Sequence, residues 1–214
     1  MKIRVIDLTR EMTNGMETWP GNKAGVKLEH TANLEHDGCQ VSRFNLLACH
    51  CGTHLDSPLH FVKGGADLAG MPLEIHPAVV VRTSAVQIDK EQFEHGVNLE
   101  GRALLIHTGW DAHVGTPDFY RNFPFLTPET AQFLADRRIA LLGMDTPSPD
   151  PPDSRDHPAH NILLGANIPI VEGLVHLDQI PREEKSPYFI AFPLKVSDVE
   201  ACPMRAAILF FYPE

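Results

Sequence analysis

The chain has 214 residues, a length that suits one domain, 1–214, with a core of its own. Apolar residues make up 43% and charged residues 21%, and the formal net charge of −10 disfavours a nucleic-acid partner. No apolar run reaches the ~18 residues of a membrane-spanning helix, and the apolar pattern of Met1 to Asp7 breaks too early for a signal peptide, so no membrane partner and a cytoplasmic location are expected.

Residues 3–8 alternate apolar and polar and read as a short strand. Met16, Trp19, Pro20 and Gly21 then lie in a loop over 9–22. From the residue alone, Trp19 reads better as a cap on the core than as a stacking surface for a planar substrate. Residues 24–32 and 39–48 read as strands. Continuing the alternation of Phe44, Leu46 and Ala48 puts His50 on the Phe44 face at the strand's end. Gly52 lets the chain turn, and Pro58 stops any regular ladder. Residues 61–76, with Gly64-Gly65 and Met71-Pro72, read as loop.

Residues 77–87 and 102–108 read as strands, the second a near-continuous apolar run suited to the middle of a sheet. Residues 109–126 show no clear period. Thr127-Pro128-Glu129-Thr130 predicts a helix start, with Thr as cap, Pro at the first position and an acid in the first turn. That helix runs to about Arg138 and leads into a strand over 139–144. Residues 145–158 are rich in Pro and Asp and read as a rigid loop. A helix is expected from His157 to about Gly165, then strands at 168–171, 187–194 and 204–212. Strands outnumber helices without regular alternation, which predicts a mixed α/β architecture rather than a doubly wound sheet.

The four cysteines are Cys39, Cys49, Cys51 and Cys202. No second Cys/His pair stands at zinc-finger distance, so buried reduced thiols are expected and not a disulfide framework.

The densest chemistry lies in His50-Cys51-Gly52-Thr53-His54-Leu55-Asp56-Ser57-Pro58-Leu59-His60. Imidazole and carboxylate are ligands for zinc and also suit manganese or iron. The segment is not a zincin helix, because Cys51 and Gly52 fill the interval where that motif needs Glu after the first His. One metal with three protein ligands leaves a position for water, whose pKa it brings from about 15.7 towards about 7. His60, with an ordinary pKa near neutrality, is placed to move protons.

The pattern His50-x-Gly52-Thr53-His54-x-Asp56-x-Pro58-x-His60 resembles the signature of the cyclase family of metal-dependent hydrolases, to which bacterial kynurenine formamidases and isatin hydrolases belong. Ile6-Asp7-Leu8-Thr9, Trp19-Pro20-Gly21, Gly143 to Ser148, Asp153-Ser154, Val171-Glu172-Gly173-Leu174 and Cys202-Pro203-Met204-Arg205-Ala206 resemble further family blocks in family order. The resemblance implies a compact β/β/α, swivelling-domain-like fold, dimeric or higher. It implies two zinc ions, with manganese as an alternative. His50, His54 and Asp56 would bind the first, Asp56 would bridge to the second with His160, and Glu172 would help to hold the pair. Two metals about 3.5–4 Å apart need such shared carboxylates to offset their repulsion. His60 would donate and accept protons, and Trp19 would line the substrate pocket.

Asn22, where Asp is common in the family, departs from the pattern, as do Cys49 and Cys51 around His50 and the block from Asp156 to His160. These bear on the substrate and leave the metal site intact. The implied activity is attack of hydroxide on an aryl formamide such as N-formylkynurenine, in tryptophan breakdown. Isatin or another cyclic amide or lactone is the alternative substrate. A non-catalytic metal- or small-molecule-binding protein on the same fold is the rival of another class. His157 reads as a neighbour of the centre or a surface residue rather than a ligand. His30, His36, His76, His95, His107, His113 and His176 lack ligand spacing. Ser148 reads as bonded to local backbone, and Arg205 as an ion-pair partner. No Gly-x-Ser-x-Gly elbow supports a serine hydrolase.

Overall fold

The structure is a computed structural model that describes residues 1–21, 25–93, 97–183 and 187–212. Asn22 and His95 lie outside the described residues. In chain order the strands are β1 Lys2–Asp7, β2 Val26–Ala32, β3 Val41–Leu47, β4 His54–Asp56, β5 Ile75–Arg82, β6 Gln87–Ile88, β7 Ala103–His107, β8 Phe125–Leu126, β9 Leu141–Met144, β10 Ile170–Glu172, β11 Tyr188–Phe192, β12 Ala201–Pro203 and β13 Arg205–Tyr212. The helices are α1 Leu34–Asp37, α2 Pro128–Asp136 and α3 Pro158–Gly165.

Nine strands form one sheet in the order β1-β13-β11-β5-β7-β9-β10-β4-β12. The run β5-β7-β9-β10 is parallel, and the pairings on either side of it are antiparallel. β12 and β13 are separated by Met204 alone, yet one closes an edge of the sheet and the other lies near the opposite edge. The sheet therefore curls. Thr9, just past β1, bridges to Leu174, just past β10.

Curling gives the central strands two buried faces. Leu104, Ile106, Leu142 and Met144 pack with residues of α2 and α3. Leu105, Leu141 and Val171 pack against Ile6, Phe189, Ile208 and Phe210 from the folded-over half of the sheet. This explains the near-continuous apolar run of β7, which alternation would have interrupted. Gly143 sits at the tightest point, where a Cβ would lie 2.7 Å from Leu105 Cδ2 and 2.9 Å from Leu174 Cδ1.

Helix α2 begins where the sequence places it. Thr127 Oγ1 accepts from Thr130 N at 3.2 Å, and Pro128 opens the first turn. Other boundaries differ. The strand expected over 39–48 ends at Leu47, so its alternation does not carry to His50. Phe44 is 58% exposed on the β2–β3 hairpin and lies outside the core. The strand expected over 77–87 stops at Arg82, and Gln87–Ile88 pairs instead with Phe125–Leu126. Strands β4, β8 and β12 were not foreseen, each only two or three residues long. His157 precedes α3 as its left-handed cap (φ 42°) instead of opening the helix. The cysteines are free thiols, but only Cys51 and Cys202 are buried; Cys39 is exposed. No helix among the described residues is long and apolar enough to cross a membrane.

Candidate metal centre and active site

β4 is the floor of the site. A strand turns alternate side chains to one face, so His54 and Asp56 point the same way. The antiparallel register sets Glu172 opposite His54 and Ile170 opposite Asp56, which brings the Glu172 carboxylate onto that face. On the other side β12 covers β4, with Pro203 opposite His54 and Ala201 opposite Asp56. His54, Asp56 and Glu172 thus sit inside the sheet, while His50 lies in the turn between β3 and β4.

Thr53 stitches this corner together. Its Oγ1 donates to the Gly173 carbonyl at 2.6 Å and accepts from Arg10 N at 2.8 Å. Gly173 has φ +65°, and a Cβ there would lie 2.7 Å from the Gly52 carbonyl oxygen. The glycine is what lets the two chain segments touch and brings Glu172 down beside His54.

His160 arrives from the first turn of α3. Asp150 fixes it in two ways. Its carboxylate accepts from Ala159 N (2.8 Å) and His160 N (3.1 Å), capping the helix, and it meets His160 Nδ1 at 2.6 Å. The other ring nitrogen then faces inward, 3.2 Å from Glu172 Oε1 and 3.6 Å from Asp56 Oδ2. His50 Nδ1 stands 3.0 Å from Asp56 Oδ1, His54 Nε2 3.2 Å from Glu172 Oε2, and His60 Nε2 4.0 Å from Asp56 Oδ2.

The electrostatics follow from burial. Asp56 and Glu172 are 0% and 4% exposed. Burial opposes the charge on His50, but Asp56 outweighs it and lifts the His50 pKa to about 9. His160 is likewise raised against burial, first by Asp150 and then by Asp56 and Glu172. Burial opposes ionisation of Asp56 too, yet His50 and His160 hold it well below the usual carboxylate range. His60 goes the other way: burial, with the charges on His50 and His160 beside it, outweighs the pull of Asp56 and brings its pKa down to about 4. The two carboxylates thus demand positive charge, which the imidazoles supply as protons and a divalent cation would supply in their place.

The residues fit such a cation. His54 Nε2, both carboxylate oxygens of Asp56 and Glu172 Oε1 are buried and make no well-aligned hydrogen bond; their neighbours, at 3.0–3.6 Å, are the ring nitrogens and carboxylate oxygens of this same cluster. Buried polar atoms seldom go unpaired, and four in one cluster of N and O donors form a ligand set for a divalent metal.

Above this floor lies a cavity of about 230 Å³. Trp19, Phe61, Phe119, Tyr120 and Pro147 form its apolar wall, and Ser148 and His157 its polar margin. Every site residue expected from the sequence (Trp19, His50, His54, Asp56, His60, His160 and Glu172) lines this one cavity. Trp19 meets Tyr120 and Phe123 edge-on, with ring centroids 5.8 and 6.0 Å apart, so it serves the pocket wall and the packing behind it together. That wall hangs on a half-buried ion pair between Arg10 and Glu17. Glu17 also accepts from Gly115 N at 3.1 Å, and Arg10 lies 5.2 Å over the Phe119 ring. A larger cleft of about 360 Å³ gathers Arg82, Arg102 and Arg182 and, among the described residues, no His, Cys, Asp or Glu.

Other expectations resolve simply. Ser148 Oγ accepts from Asp150 N at 3.1 Å, a local backbone bond. Arg205 is 78% exposed and pairs with Asp7. Asp145 lies outside the centre: its oxygens take Thr108 N, Thr108 Oγ1 and Gly109 N, pinning the end of β7. Asp150, Glu200, Arg10 and Glu17 were missed. Each acts through a partner remote in sequence or through a loop with no motif, so nothing local marks them.

Residues 6–151 match the model of a family described as putative cyclase. The chain belongs to that family. A kynurenine formamidase of Salinibacter ruber is 35% identical over 211 residues, covering 95% of this chain and 96% of its own. Among solved structures, a predicted metal-dependent hydrolase from Bacillus stearothermophilus superposes with a TM-score of 0.82 at 28% identity, covering 98% of this chain and 99% of its own. Isatin hydrolase A from Labrenzia aggregata superposes at 0.84 and 25% identity, covering 97% and 93%. The cyclase-family chain is a hydrolase, with the mixed α/β architecture that its sequence implies.

Proposed function

We propose that this cyclase-family chain, as one hydrolase domain, is a metal-dependent amidohydrolase. His50, His54, Asp56, His160 and Glu172 would hold the divalent cations, two of them, zinc in the first instance and manganese as the alternative. The observation that carries this reading is the cluster of buried atoms on His54, Asp56 and Glu172 that converge without an aligned hydrogen bond among them. Bound cations would supply Lewis acidity, acidifying a water from a pKa of about 15.7 towards about 7 and drawing charge from a carbonyl oxygen.

The chain's own residues do the rest. His60 is neutral, because burial holds its pKa near 4, and it lies at the cavity beside Asp56. It takes the proton of the attacking water and returns it to the leaving nitrogen. Trp19, Phe61, Phe119 and Tyr120 receive an aryl ring and keep water from it. The substrate class is therefore an aryl formamide, and N-formylkynurenine is the first candidate, in line with the formamidase relative. A compact cyclic amide such as isatin is the second reading, favoured by the small aromatic-walled cavity and by the isatin hydrolase likeness.

A pure binding protein has no use for His60 next to a full ligand set. His60→Ala should leave metal content intact and lower kcat by about 10²–10⁴-fold on whichever of a formyl-anilide, isatin or a lactone the wild type cleaves. Unchanged turnover would remove the proton-carrier role, and a wild type without metal would remove the whole reading. The outer face of β1, β13, β11 and β5 supports a homodimer: Ile3, Val5, Phe211, Tyr188 and Ile75 are 36–58% exposed there, and the strand register sets Ile3 beside Phe211.

A further inference from the structure

Two carboxylates stand behind the candidate ligands, one on each side, and they are not equivalent. On one side Asp150 is 0% exposed and holds His160 Nδ1 at 2.6 Å while capping α3. On the other, Glu200 Oε1 meets the outer nitrogen of His50, Nε2, at 3.3 Å. The Glu200 side chain is 37% exposed and His50 25%. Its backbone is fixed: the Glu200 carbonyl accepts Ser57 N at 2.8 Å, and the next residue, Ala201, pairs with Asp56. The inward atoms divide the same way. His54, Asp56 and Glu172 form one group within ligand distance, all three buried, with His160 Nε2 3.2 Å from Glu172; His50, Asp56 and His60 form another, in which both histidines are half-buried.

We propose that the centre has two unequal cation positions: an inner one on the His160 side, retained, and a rim one on the His50 side, exchangeable and set by Glu200. This rests on the metal-centre reading above. A carboxylate on the far nitrogen of a ligating histidine fixes its tautomer and ring, and raises its basicity. Glu200 does this for His50 from a wet position, where water screens the contact; Asp150 does it for His160 from a dry one. Glu200 is a positioning residue that acts through His50.

Purified metal-loaded protein, titrated with chelators of graded strength while zinc in the protein is counted, tests this. Two dissociation constants are expected. Glu200→Gln should weaken the looser one by about 10–100-fold and leave the tighter one alone. Asp150→Asn should weaken the tighter one, provided circular dichroism shows the fold retained; Glu200→Gln, at the surface, carries the test without it. One shared constant in the wild type, or a Glu200→Gln protein with both constants unchanged or both weakened equally, overturns the proposal. Protein that binds no zinc at all overturns the metal centre itself, a distinct result.

Discussion

A single methyl group decides whether the corner of the site can form. At Gly173 the backbone has φ +65° and approaches the Gly52 carbonyl too closely for a Cβ. Gly173→Ala must push the Glu172 strand away from β4 or bear the strain, at a cost of about 1–3 kcal/mol. The expected outcome is a lower denaturation midpoint together with reduced metal content, since Glu172 withdraws from His54. A variant with full stability and full metal would show that the close approach is not needed. Residues of this kind explain what the sequence displays and what it hides. His50, His54, Asp56 and His60 stand within eleven positions, so their chemistry is legible at once. His160 and Glu172 were reached only through resemblance to a family, because no local pattern ties them to the first cluster. Glu200 was not reached, since it meets His50 across 150 positions, and pairing at that distance is decided by sheet register.

Elements were legible where their signals are local. The start of α2 needs only Thr127, Pro128 and Glu129 in succession. Thr127→Ala removes the Oγ1 that receives Thr130 N, and should cost about 0.5–2 kcal/mol in chemical denaturation. Neither residue lines the cavity, so kcat/KM should stay at the wild-type value; a fall would tie α2 to the site. β7 was legible as a central strand from its unbroken apolar run. β4 and β12 were not, because three residues are too few for a period to show. Their existence depends on the partners between which they are sandwiched. The β3 alternation did not hold: the strand belongs to a hairpin that stops at Leu47, with Phe44 and Leu46 both exposed.

At the scale of the molecule, the curled sheet buries both faces of its middle and leaves one face of its folded-over half apolar and open. On that face Ile3 pairs with Phe211, and Tyr188 packs edge-on against Phe211 at 5.4 Å. Val5→Lys combined with Phe211→Asp should convert a dimer to a monomer in sedimentation or light scattering. A wild type already monomeric at micromolar concentration would show that this surface has no partner copy. The mixed architecture was read correctly from irregular strand spacing. The curl was not, because it arises from β12 and β13 lying far apart in the sheet while adjacent in sequence.

The half-buried pair of Arg10 and Glu17 has a wider consequence. It anchors the aromatic wall through Gly115 and Phe119, whereas the acids and imidazoles of the floor are anchored by strand register and by Asp150. The two halves of the cavity meet at Arg10, whose backbone N also donates to Thr53 Oγ1 in the floor. Of the wall rings, Trp19, Phe119 and Tyr120 stand on this loop anchorage, whereas Phe61 stacks on His160 and meets His60 edge-on, so tailoring the mouth for a new guest is freest on the Arg10–Glu17 side.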